Sequence, residues 1–96
     1  MRHAFGIVYE DPFVSRIQFS ADQAPYIRER LWHPSQRIEE LEDGGLVLHL
    51  YAGGLYELKS WILSQGAAAE VLEPESLRKE IVAELRALLT AYGEGA

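Results

Sequence analysis

An α+β fold, with helices layered on one face of a four-stranded antiparallel sheet, follows from three features of this sequence. Apolar residues recur at helical spacing in 55–62 and again in 77–92. They alternate in 13–19 and in 46–51. Glycine or proline separates each such stretch from the next. The segment 55–74 shows the plan most clearly. Leu55, Leu58, Trp61 and Ile62 fall at i, i+3, i+6 and i+7, one stripe along a helix. Gly66 stands where a left-handed helix end is wanted, since glycine takes positive φ without steric penalty. Ala68–Leu72 then reads as a short strand, and Pro74 opens the next helix at a position where its missing N–H is no loss.

The rest of the chain supplies the matching half. Residues 3–9 place Phe5, Ile7 and Tyr9 on one face, as a half-buried strand or extended arm does, and Glu10-Asp11-Pro12 breaks it. Phe13, Ser15, Ile17 and Phe19 alternate with Val14, Arg16 and Gln18, predicting a strand with Ile17 and Phe19 inward. Ser20–Asp22 offers N-cap oxygens for a helix to about Leu31, with Pro25 in its first turn and Ala24, Ile27 and Leu31 on one face. The Trp32-His33-Pro34-Ser35 step ends that helix, because a residue before proline avoids the α region. Residues 36–42 and 46–52 form a hairpin about Asp43-Gly44-Gly45, with Leu46, Leu48 and Leu50 facing one way and Val47, His49 and Tyr51 the other. The last helix runs from Pro74 to about Tyr92 on a stripe of Leu77, Ile81, Leu85, Leu88 and Tyr92, widened by Val82 and Leu89. Strand, helix, strand, strand, helix, strand, helix is the ferredoxin-like split βαβ order, βαββαβ, with a C-terminal helix added. The expected division is an arm or linker strand at 1–12, the folded domain at 13–93 and a frayed tail at 94–96.

Composition narrows the function. Ninety-six residues suffice for one modest core, and 48% apolar with 25% charged residues is ordinary globular usage. No stretch approaches the roughly eighteen apolar residues of a membrane span, and the N-terminus lacks the pattern of a signal peptide. The absence of cysteine removes disulfides and thiolate metal sites and fits a cytoplasmic setting. A net charge of −6 argues against this segment gripping nucleic acid unaided.

Chemical motifs are sparse. His3, His33 and His49 have no metal-ligand spacing, so neither metal nor cofactor is expected. Glu39, Glu40, Glu42 and Asp43 read as a solvated hairpin edge rather than an acid–base pair. Acylphosphatase-type chemistry on this fold needs an arginine after the first strand, where Phe19-Ser20-Ala21-Asp22 has an acid instead. Trp61 belongs to the helix stripe. Trp32, beside Pro34 and near Arg30 and Arg37, is a candidate contact for another domain or a stacked base. Arg16 should project from the sheet's uncovered side, toward a phosphate or carboxylate or toward a sheet carboxylate such as Glu39.

Taken together, some of these residues carry a family likeness. Ile17-Gln18-Phe19-Ser20, then Tyr26-Ile27-Arg28-Glu29-Arg30-Leu31-Trp32, then His33-Pro34-Ser35-Gln36 are followed by Asp43-Gly44-Gly45-Leu46 and Glu57-Leu58. Next come Trp61-Ile62-Leu63-Ser64-Gln65-Gly66 and Val71-Leu72-Glu73-Pro74-Glu75-Ser76-Leu77. In this order they resemble the C-terminal extension (WCX) domain of WYL-domain transcriptional regulators, from about Phe13 to Tyr92. The resemblance implies a non-catalytic regulatory and dimerisation module of a bacterial regulator. Its partners would be the WYL domain and the helix-turn-helix DNA-binding domain of the same protein, a second copy in a homodimer, and a nucleotide or nucleic-acid effector. The contact candidates are Arg16, Trp32, Arg37 and Tyr51. A stand-alone ferredoxin-like small-molecule-binding domain is the alternative.

Overall fold

Alternation along the first strand, β1 (Phe13–Phe19), sets the two faces of the molecule. Ser15, Ile17 and Phe19 are buried, whereas Val14, Arg16 and Gln18 lie on the other face. The computed structural model describes residues 11–93, so the arm expected at 1–12 falls almost wholly outside the described residues, as does the tail at 94–96. Three further strands, β2 (Arg37–Glu40), β3 (Leu46–Ala52) and β4 (Ala69–Glu73), complete an antiparallel sheet in the order β2-β3-β1-β4, in which β3 and β4 flank β1 and β2 pairs with β3. Helices α1 (Ala24–Arg28) and α2 (Leu55–Ser64) follow β1 and β3, and α3 (Glu75–Ala91) follows β4. This is the ferredoxin-like arrangement, closed by a C-terminal helix.

One core lies between sheet and helices. Ile17, Phe19, Leu46, Leu48, Leu50 and Val71 meet Ala24, Ile27, Leu58, Ile62 and Leu77, all essentially inaccessible. The hairpin turn is set by Gly44, at φ +92°, and by Gly45, where a Cβ would come within 2.5 Å of the Phe19 carbonyl oxygen. Asp43 Oδ1 accepts the Gly45 N–H at 2.8 Å, as turn aspartates do. Gly66 takes φ +62° as expected, and a 3-10 turn over Gly66–Ala68 leads into β4.

Three expectations need correction. The first helix is one turn, not a run to Leu31: α1 ends at Arg28, and Leu31 is exposed rather than on the core face. The chain is drawn away by Gln36, whose side chain accepts the Trp32 N–H at 2.6 Å and donates to the Arg30 carbonyl at 3.0 Å. Ser20–Asp22 provides no side-chain cap; the Ser20 carbonyl accepts the N–H groups of Gln23 and Ala24 instead. Finally, the stripe of α3 is covered only along its first half. Leu77 is buried and Ile81 and Val82 are half-buried, but the later leucines stand in the open.

Side chains tie the layers together. Arg28 makes two hydrogen bonds to the Glu40 carboxylate, at 2.6 and 2.9 Å, and one to the Gly44 carbonyl, at 3.2 Å, fastening α1 to the hairpin. On the edge strand β4, the Val71 carbonyl accepts the Arg78 guanidinium at 2.8 Å, and the same nitrogen reaches Glu70 at 3.2 Å.

Leu58→Ala, at a site 1% exposed, should cost about 2–5 kcal/mol by loss of packing and cavity formation; thermal melts measure it. The Arg28 hydrogen bonds, more than its charge, hold the Glu40 carboxyl below its ordinary range. A depressed carboxyl contributes above its unfolded pKa and loses that contribution as pH falls through its folded value. Glu40→Gln should therefore lower the melting temperature slightly at neutral pH and not at all once wild-type Glu40 is protonated, as a pH series of melts will show.

Candidate functional site

The face of the sheet away from the helices carries three of the four contact candidates. Register places Glu73 of β4, Arg16 of β1, His49 of β3 and Arg37 of β2 in one row across all four strands. Arg16 Nη1 lies 3.3 Å from Glu73 Oε1, so its sheet carboxylate is Glu73 and not Glu39. Glu39 instead faces His49, with Nε2 and Oε1 at 3.1 Å. Arg37 is exposed and makes no ion pair among the described residues. The solvated Arg16–Glu73 pair contributes little to stability, under about 1 kcal/mol, which leaves the Arg16 guanidinium, like that of Arg37, available to another ligand.

Beside this row, Val14 of β1 and Tyr51 of β3 are directly opposed, and both are more than half exposed. The Tyr51 backbone is held from outside the ladder. Its N–H donates to Ser35 Oγ at 2.8 Å, and Ser35 Oγ lies 3.1 Å from its carbonyl oxygen. Val47 also faces this way yet is buried, flanked in register by Gln18 and Glu39. The face thus combines a small aromatic–aliphatic patch with two arginines, one on each side of His49. That pairing suits a carboxylate or phosphate joined to an apolar group.

Trp32 is elsewhere. Its ring packs on Trp61 at 4.6 Å between centroids, and Trp61 reaches Phe19 at 5.6 Å, so it belongs to the helical layer. Its indole N–H donates to the Ile27 carbonyl at 3.1 Å. Arg30, not Arg37, is the cation beside it, 5.8 Å from the ring. Gln23, Tyr26, Glu29 and Gln65 complete an open recess of about 340 Å³ there. The structure therefore groups Arg16, Arg37 and Tyr51 and separates Trp32 from them.

Sequence reasoning missed Ser35, Gln36 and Glu73. Alternation gives no sign of a serine that serves a neighbouring strand's backbone. Glu73 could have been found by pairing the strands in ferredoxin-like order and asking which acid falls opposite Arg16. Among the described residues no group of three His, Asp or Glu side chains could hold a metal ion, and no helix is long and apolar enough to cross a membrane.

Comparison with known proteins completes the picture. No curated protein matches this chain. Among solved structures it is similar to proteasome accessory factor B/C (PafBC) of Arthrobacter aurescens, at 29% identity and a TM-score of 0.71. That likeness covers 86% of this chain and 12% of the other, so the chain spans a small part of that relative's length. The WCX domain family matches residues 12–89, nearly every element described above, and the chain belongs to that family, the C-terminal extension of WYL-domain transcriptional regulators.

Proposed function

We propose that this domain is the non-catalytic regulatory and dimerisation module of a WYL-family bacterial transcriptional regulator, in which it assists effector sensing by the adjacent WYL domain. Family membership over residues 12–89 is the observation that carries this reading. The sheet face supports it in kind. A sheet covered by helices on one side presents its other side to water or to a partner, and here that side holds Arg16, Arg37 and Tyr51. In this reading the face docks the neighbouring WYL domain, and the arginines meet acidic or phosphate groups brought to that junction. The helix-turn-helix domain of the same protein reads DNA in the cytoplasm, and a nucleotide or nucleic-acid effector acts through the intact assembly. In this reading the folded domain at 13–93 follows an arm or linker at 1–12.

In the full-length regulator, Arg16→Ala should reduce the response to effector while leaving operator affinity without effector unchanged. Gel-shift titrations with and without effector separate the two. Tyr51→Glu should weaken docking of the WYL domain and leave the melting of this domain intact. The 96-residue chain alone, at a net charge of −6, should show no measurable binding to single- or double-stranded oligonucleotides at physiological salt. Tight, salt-sensitive binding by the chain alone would make this domain the sensor and overturn its assisting role.

A further inference from the structure

The apolar stripe of α3 outruns the surface that covers it. Its first half packs on α2 and β4, but Leu85, Leu88, Leu89 and Tyr92 are 46, 45, 50 and 80% exposed. One exposed leucine is unremarkable. Four at i, i+3, i+4 and i+7 form a continuous patch over two turns, in line with the buried Leu77.

The two flanks of α3 leading into the patch differ in sign. Glu80 and Glu84 lie on the flank toward α2, where the Lys59 ammonium sits 3.3 and 3.4 Å from their carboxylates. Lys79 and Arg86 lie on the opposite flank and make no ion pair among the described residues. The chain carries −6 overall, yet here the three cations Lys59, Lys79 and Arg86 stand against the two carboxylates of Glu80 and Glu84, so the chain's negative excess is not concentrated at this surface.

The geometry points to a second copy of this chain on the patch, its α3 lying beside and parallel to the first. Flank polarity sets the orientation. In a parallel pair the basic flank of each helix faces the acidic flank of the other, whereas an antiparallel pair brings like flanks together. A second copy brings both an apolar stripe of matching length and flanks of complementary sign. This inference rests on the dimer reading above and names the surface that makes the dimer. Two helical turns bury less than the roughly 800 Å² per partner of a standard interface, so pairing of the isolated chain is weak and concentration-dependent.

Sedimentation of the 96-residue chain tests the surface, and cysteine cross-linking tests the orientation. The wild type should pass from monomer to dimer as its concentration rises. Leu89→Glu should weaken that association by about tenfold or more without changing the melting temperature. The chain has no cysteine, so Leu85→Cys and Tyr92→Cys introduce single thiols. In a parallel pair each faces its own copy, and both should form disulfide-linked dimers; an antiparallel pair brings at most one of them together. Association lost in Tyr51→Glu but kept in Leu89→Glu would overturn the α3 surface and leave the dimer reading standing. A chain that stays monomeric at the highest attainable concentration would overturn both. Cross-linking at only one of the two positions would overturn the parallel arrangement.

Discussion

Strand β1 is paired along both edges, with β3 over its whole length and with β4 over its second half. This double pairing is the constraint on which the other features depend. It makes β1 central, so a one-residue slip would move Ile17 and Phe19 out of the core and Arg16 and Gln18 into it. It also fixes what stands opposite what. Arg16 lies between Glu73 and His49 because the register of two ladders puts it there, not because the ion pairs draw the strands together.

The uncovered face is a further product of the same arrangement. All three helices contribute to one core, on one side. The other side must then be tolerable in water, and it manages this with charged residues in the outer and central strands. Val47 is nonetheless buried there, in a central strand between Gln18 and Glu39. A sheet composed in this way exposes little apolar surface to water on that side, yet keeps a tyrosine and two arginines where a partner can use them.

Most of the fold was legible because strands and helices each repeat their own period. The hairpin, the α2 stripe and the turn at Gly66 lie where alternation and glycine placed them. The misreadings share a cause. The length of α1 and the fate of Leu31 are decided by Gln36, a polar side chain that satisfies two backbone groups across a loop. Such bonds leave no periodic trace. The exposed end of α3 was hidden for a different reason: an apolar stripe reports that a helix has a covered face, not how far the cover extends. Three of the four contact candidates shared a face that alternation alone could assign. Trp32 stands apart from them, beside Arg30, because its position depends on a loop conformation.

The Arg78 guanidinium, bound to the Val71 carbonyl, bears on crowding. A four-stranded sheet has two outer edges, and an unsatisfied backbone there can template the addition of further strands, copy upon copy. One rim is the short strand Arg37–Glu40, rich in charge, and the other has a carbonyl already claimed by an arginine from the following helix. Runaway edge-to-edge stacking is thereby discouraged even where many copies are held close, and growth into fibrils is kept apart from any finite, side-chain-mediated assembly.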